Sequence, residues 1–305
     1  MRLGPSVSVL GMRAGALELA IVPEIGGSIA AFVSHGDCGA YHWLRPAAPA
    51  GLRARDPLGM SSFPMVPFCN RIRRGRFAFA GRTHVLPLPG DEPHALHGAA
   101  WRRPWSVEAH DRASTRLYFV SNGADWPSAY RAVQQFDLSA EGLTVTLSVE
   151  NLGREPMPLG MGLHPYLPRP AGTCLKTSLE RMWEVDAELL PTGRTLQPVL
   201  LEAIGRGADL DSLALDHTFT GWNRRAEVLW SDGRRLAIEA DPPFELLAIF
   251  APPGRDYFCL EPVSNAPDWI NARHDATVGG TVLAPGETQM ARCRFRPFDP
   301  RSEHR

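Results

Sequence analysis

Two segments of this 305-residue chain share one design, an apolar run that ends in a single ionisable residue followed at once by proline. They are Leu163-His164-Pro165 and Leu260-Glu261-Pro262. A charge at such a position costs desolvation free energy, so it is usually paired or functional. Gly160, Gly162 and Pro168 surround His164, and proline pushes the residue before it toward extended backbone. Both segments therefore read as strands that stop at the ionisable residue, the second after residues 256–260. A histidine and a carboxylate in one cleft supply a general acid and a general base with separated pKa values. Each residue also has a plainer reading. A histidine before proline is often a packed structural group, and a lone glutamate is often a salt-bridged surface residue.

Three further segments combine polar groups with loop or strand-end positions. Asn70 and Arg71 interrupt the proline-rich apolar run Phe63 to Ile72. Arg71 is followed by Arg73, Arg74 and Arg76, a run that can be a solvated loop. His94-Ala95-Leu96-His97-Gly98 offers two imidazoles, half of a metal site with no strong third ligand placed near it. Asp216 in Leu215-Asp216-His217-Thr218-Phe219 can be a chemical group or merely a turn or cap residue.

The elements that must position these groups are mostly strands. No long segment shows apolar residues at i, i+3, i+4 and i+7. Leu143-Thr144-Val145-Thr146-Leu147-Ser148-Val149 alternates apolar and polar residues and follows 130–138 across the turn Ser139-Ala140-Glu141-Gly142. Hairpins are also expected around Gly81-Arg82 and Ser231-Asp232-Gly233. Further strands are expected at 17–22, 116–120, 246–250, 256–260 and 289–295. Short strands punctuated by 28 glycines and 28 prolines argue for an antiparallel sandwich or barrel. Residues 47–57 read as the most mobile loop, and with no linker in sight residues 1–305 read as a single β domain.

Composition narrows the partners. Hydrophobic residues make up 44% of the chain and the net charge is -1, so no field strong enough to capture nucleic acid or an anionic membrane is implied. Five cysteines without a CxxC pair fit a reducing compartment better than a disulfide framework. Met1-Arg2-Leu3-Gly4-Pro5 lacks the apolar core of a signal peptide, and no run of about 18 apolar residues suggests a membrane span. The expectation is a cytoplasmic protein.

Taken in order, the motifs resemble the aldose 1-epimerase (galactose mutarotase) family. Asn70-Arg71-Ile72 with Gly75-Arg76-Phe77 and Gly81 is similar to the family's early Asn-Arg-Ile, Gly-x-Phe and Gly pattern. Leu96-His97-Gly98, His164-Pro165-Tyr166, Asp216-His217-Thr218-Phe219 and Glu261-Pro262 resemble its later motifs. The likeness runs from about Leu19 to Leu283-Ala284-Pro285-Gly286-Glu287. It implies an all-β fold, a large antiparallel β-sandwich with a sugar cleft on one sheet. It implies Glu261 as general base on the anomeric hydroxyl, His164 as general acid on the ring oxygen, and Asn70, Arg71, His97 and Asp216 as substrate-binding residues. It also implies a monosaccharide partner, with no metal and no organic cofactor needed. Ordinary pKa values of about 4.3 for Glu and 6.5 for His would leave Glu261 ionised and His164 able to give a proton. One of Trp101, Trp105, Trp126 and Trp222 is expected to face the sugar.

The chain departs from the family around Asp91-Glu92-Pro93-His94 and in the residues after Asp216, which leaves the sugar open. Three other functions stay in view. One is a non-catalytic sugar binder on the same fold. Another is a glycoside-cleaving enzyme using Asp216 and Glu261. The third is a sugar-phosphate mutarotase using Arg73 and Arg74.

Overall fold

Alternation of burial shows why the long strands form. In Gly142–Asn151, Leu143, Val145, Leu147 and Val149 are buried while Thr144, Thr146, Ser148 and Glu150 are half-buried on the other face. That period of two suits a sheet with one face on the core. The computed structural model describes residues 7–36, 39–88, 90 and 92–300. Asp91 and the first five residues, discussed above, lie outside the described residues, as does Cys38, one of the five cysteines.

Two large antiparallel sheets face each other across one apolar core. The nine-stranded sheet runs in the order Ser106–His110, Ser114–Ser121, Tyr130–Ser139, Gly142–Asn151, Thr288–Phe298, Arg235–Ala240, Arg225–Leu229, Cys174–Thr177, Ala208–Asp209. The eight-stranded sheet runs Pro191–Leu196, Arg181–Val185, Leu215–Thr220, Leu246–Ala251, Tyr257–Val263, Gly162–Leu163, Pro64–Met65, and Tyr166–Pro168 also pairs with Tyr257–Val263. A four-stranded sheet, Leu10–Ala14, Leu17–Val22, Ser28–Gly36 and Gly39–His42, completes the N-terminal part. The expected all-β sandwich is what the chain forms. Among the described residues no helix is long and apolar enough to cross a membrane.

Three local expectations are corrected. Residues 47–57 are not an irregular loop: they hold the helix Pro49–Ala54, and Gly51 packs against Gly59 of the following helical turn. A helix of six residues is too short to display an apolar period. The 77–88 hairpin turns at Ala80-Gly81, both at positive φ, and Arg82 already pairs with Phe79. The third correction concerns Glu261. Its strand does not stop there but continues to Val263, with Glu261 opposite Ala248 and Pro262 opposite Leu247.

His164, by contrast, does sit at a break. The strand Gly162–Leu163 ends before it and Tyr166–Pro168 resumes after Pro165. The break does not shift the pairing. Gly162 faces Val263, Tyr166 faces Cys259 and Leu167 faces Phe258, all on one register. That register sets His164 directly opposite Glu261. Pro165 and Pro262 each lack an N–H for the ladder, which interrupts the strand and leaves its alignment intact. On its other side the His164 N–H donates to the Phe63 carbonyl at 2.9 Å, and the Tyr166 N–H to Ser61 at 2.9 Å.

The same pairing builds two rows on one face of the sheet. One row is His164, Glu261, Ala248 and Thr218; the next is Tyr166, Cys259, Phe250 and Asp216. The alternate residues Phe258, Leu260, Leu247, Ile249 and Phe219 point the other way and are buried in the core. The chemistry-bearing face and the core face therefore belong to the same strands.

Candidate active site

At the floor of this face His164 Nε2 lies 3.3 Å from Glu261 Oε1, and both side chains are less than a tenth exposed. Directly opposed strand residues hold their Cβ atoms about 4.5–5.5 Å apart, which brings a histidine and a glutamate into contact without strain. The Phe63 and Tyr166 rings lie against the imidazole, with centroids 4.5 and 4.8 Å away. Arg45 holds Tyr166 from outside: its guanidinium lies 3.9 Å from the ring centroid and donates to the Leu58 and Met60 carbonyls. Nδ1 of His164 is buried without a hydrogen-bond partner, which leaves Nε2 as the nitrogen that faces the carboxyl.

His97 meets this pair from a second wall. The bridge between Arg71–Ile72 and Ala95–Leu96 ends in a turn where Asn70 and His97 both have positive φ. There the His97 N–H donates to the Asn70 carbonyl at 2.9 Å, and the Asn70 N–H donates to His97 Nδ1 at 3.1 Å. An accepting Nδ1 puts the proton of the neutral ring on Nε2. The ring stands edge-on to His164 at 5.3 Å. Gly98 closes the turn, since a Cβ there would come 2.1 Å from the Val66 carbonyl oxygen. Sequence order alone makes Leu-His-Gly a motif; this contact gives its glycine a physical reason.

Arg71 and Asp216 form the more open rim, with side chains 19% and 31% exposed and a loose contact of 4.0 Å. Asp216 lies within the strand Leu215–Thr220 rather than in a turn. Asn70 Oδ1 accepts from the Arg71 backbone N–H at 2.9 Å and from its guanidinium at 3.1 Å. Asn70 thus orients both Arg71 and His97. All six candidate residues lie in one cluster, linked through the His164–Glu261, His97–His164, Asn70–His97, Asn70–Arg71 and Arg71–Asp216 contacts.

The electrostatics depart from the values expected of exposed side chains. Burial pushes the Glu261 carboxyl well up; the Asp216 charge adds to this and Arg71 opposes it. Burial is also the largest cause pushing His164 down, and Arg45 adds to it. The pair is therefore biased toward its uncharged arrangement, a protonated carboxyl beside a neutral imidazole, rather than the ionised carboxylate expected from ordinary values. Low dielectric disfavours the charged form of each partner. Burial likewise holds His97 down, helped by His164, Arg71 and Arg102, so it is a neutral donor.

The structure also decides among readings that the sequence left open. His94 and His97 do not form half of a metal site: each Nδ1 accepts a backbone N–H, His94 from Arg74 and His97 from Asn70. Trp101, Trp105, Trp126 and Trp222 are all at most 4% exposed. Their indole N–H groups donate to Leu96, Ala100, Pro158 and Thr177 respectively. They are core residues, and Trp101 only backs Phe63, stacked at 5.0 Å. Arg73 and Arg74 are not free cations either. Arg73 contacts Asp186 at 3.1 Å, and Arg74 contacts Glu188 at 3.0 Å.

Phe63, Tyr166, Cys259 and Arg45 complete the surroundings and were not singled out from sequence. Phe63 and Tyr166 lie inside segments named above and Cys259 inside the expected strand 256–260, and an i, i+2 reading of Cys259 and Glu261 would have put the thiol on the site face. Arg45 carries no local signal.

Comparison with known proteins gives the family and the fold. The aldose 1-epimerase family model matches residues 8–296. An uncharacterized protein of Escherichia coli K12, YphB, is 34% identical over 265 residues, 83% of this chain and 88% of that one. A crystal structure of a candidate aldose 1-epimerase from Escherichia coli K12 superposes with a TM-score of 0.85 at 30% identity, covering 96% of this chain and 99% of that one. A galactose mutarotase-like protein from Clostridium acetobutylicum has the same fold, with a TM-score of 0.84 at 21% identity over 96% and 99% of the two chains.

Proposed function

This chain belongs to the aldose 1-epimerase family, and we propose that it is a mutarotase that interconverts the α and β anomers of a free aldose. The observation that carries this reading is the 3.3 Å contact between His164 Nε2 and Glu261 Oε1 at the floor of the cleft. Mutarotation breaks and remakes one hemiacetal bond. It needs one group to take the proton of the anomeric hydroxyl and another to give a proton to the ring oxygen. General acid–base catalysis by positioned groups contributes roughly 10²–10⁴-fold.

In the proposed ring opening Glu261 takes the anomeric hydroxyl proton while His164 Nε2 protonates the ring oxygen. The bond from C1 to the ring oxygen breaks and an aldehyde forms. Rotation about C1–C2 exposes the other face. Reclosure returns the proton from Glu261 to the new anomeric oxygen, and His164 regains its own from the ring-closing hydroxyl. The pair carries one proton throughout, on the imidazole with the closed sugar and on the carboxyl with the open one. Burial favours the second arrangement, and the Arg71 charge favours the first. His97 Nε2–H, Arg71 and Asp216 would hold the sugar oxygens, with Asn70 fixing Arg71.

Free sugars suit the cleft better than sugar phosphates, because Arg73 and Arg74 are already held by Asp186 and Glu188. The group in contact with Glu261 is an imidazole, the partner that ring opening needs, and this favours mutarotation over glycoside cleavage. A binder with no catalytic role has no use for the buried acid–base pair. Polarimetry on freshly dissolved α-anomers of hexoses, pentoses, deoxy- and sulfo-sugars, with hexose phosphates in parallel, tests the reading. Faster decay to the equilibrium rotation for at least one free sugar is expected. No acceleration for any of them would remove it.

A further inference from the structure

Cys259 has no part in that chemistry, yet it shares the floor with the acid–base pair. It stands two residues before Glu261 on the same strand, so both side chains emerge on the same face. Register puts it beside the His164–Glu261 row, opposite Tyr166. The three ligand atoms, His164 N, Cys259 Sγ and a Glu261 carboxylate oxygen, all lie within 4.8 Å of one another, and all three residues are buried. We propose that this trio is a binding site for a thiophilic divalent cation, Zn²⁺ above all, and that the metal and the sugar exclude each other.

The geometry fits a particular coordination. Zn²⁺ binds nitrogen and oxygen at about 2.0–2.2 Å in tetrahedral sites, which sets two such ligands about 3.4 Å apart. The His164–Glu261 separation is 3.3 Å. The thiolate bond is longer, about 2.3 Å, and Cys259 Sγ lies within 4.8 Å of both other ligand atoms. Thiolate and imidazole together select zinc over magnesium or calcium. A thiolate and a carboxylate neutralise the two charges of the ion, and a neutral imidazole completes the set, so no net charge is buried. The Tyr257–Val263 strand supplies two ligands, and the break opposite it, held on the same register, supplies the third. Three protein ligands leave a fourth position for water, as in zinc sites that keep one place open.

Metal binding takes both His164 and Glu261, so it would inhibit the proposed mutarotation reversibly. The inhibition rests on the mutarotase reading; the binding does not. Co²⁺ serves as the probe because a thiolate ligand adds a near-ultraviolet charge-transfer band to its visible spectrum. The full chain should take up one equivalent with that band, and a Cys174→Ala variant, which loses the partly exposed thiol, should behave identically. Cys259→Ala should lose the band and weaken Zn²⁺ binding by roughly 100-fold or more, beyond what loss of an outer-shell partner costs. Cys259→Ser, checked by circular dichroism, replaces it if the alanine variant does not fold. On the activity side, Zn²⁺ should inhibit the wild type competitively with sugar, EDTA should restore it, and Cys259→Ala should turn over normally while resisting Zn²⁺. Co²⁺ bound without a thiolate band, or a band that survives in Cys259→Ala and Cys259→Ser, overturns the site. A chain that binds Co²⁺ through Cys259 but never accelerates mutarotation keeps the site and overturns the functional reading instead.

Discussion

Leu163-His164-Pro165 and Leu260-Glu261-Pro262 follow the same sequence pattern and reach opposite backbone outcomes. The first breaks its strand; the second lies inside one. Their neighbours account for the difference. The Tyr257–Val263 strand is held along its length by Leu246–Ala251 through five consecutive pairs, so the missing N–H of Pro262 cannot end it. The His164 strand has only two-residue and three-residue pieces around it, and the N–H groups missing at Pro165 and Pro262 suffice to interrupt the ladder. Both segments nevertheless keep a common register, and the two ionisable groups meet as a cross-strand pair. A proline after a charged residue thus removes a backbone bond, and the rest of the sheet decides whether a strand also ends.

If the rigid Glu261 arm sets the geometry, shortening it should hurt most. Glu261→Asp keeps the charge but withdraws it by about one bond length. Misplacement on that scale costs on the order of 10²-fold, read as kcat for anomer exchange. An unchanged kcat would mean that the 3.3 Å contact is not the working distance.

Arg71 acts on the carboxylate arm and the rim, away from the imidazole. Loss of a hydrogen bond to a charged group costs about 1.5–3 kcal/mol. Arg71→Ala should therefore raise the apparent KM by about 10-fold or more with a smaller change in kcat. A fall in kcat alone would move Arg71 out of sugar binding.

The pH profile separates the two arms further. The one-proton form of the pair is the active one, so activity falls when the pair gains a second proton and when it loses its last. Burial pushes His164 down and Glu261 up, so the second proton is taken up below the ordinary histidine range of about 6.5 and the last is lost above the ordinary carboxylate range of about 4.3. A bell-shaped profile whose acid limb lies below 6.5 is expected from initial rates. An acid limb at or above 6.5 would show an imidazole that behaves as if exposed.

The smallest effect belongs to the support of the His164 arm. Tyr166→Phe keeps the ring that lies against His164 and beneath Arg45. With the ring contacts kept, little change in kcat/KM is expected. A much larger loss would give the phenolic hydroxyl a role in proton transfer.

Much of this architecture could be read from the chain before its structure. The alternation in Leu143 to Val149 and the turns at Gly142 and Gly233 identify real hairpins, because period two and positive-φ turn residues are local properties. The six candidate site residues were legible through motifs in order. Their mutual geometry was not. That Glu261 lies within a strand depends on partners tens of residues away, and that Cys259 joins the floor depends on register. The tryptophans misled for a related reason, since residue type alone does not distinguish an aromatic that faces a cleft from one whose indole N–H is tied to a core carbonyl. The ordinary pKa values used for the pair also failed, because burial is a tertiary property.

The central claim is that one cross-strand pair carries both proton transfers. Anomer exchange by NMR at a saturating free aldose should be compared for wild type, His164→Ala, Glu261→Gln and the double variant, each verified as folded. Each single variant should lose about 10²–10⁴-fold. The double variant should lose no more than the worse single one, as groups that act as a unit do. Wild-type exchange in either single variant, or losses that multiply in the double, would contradict the account.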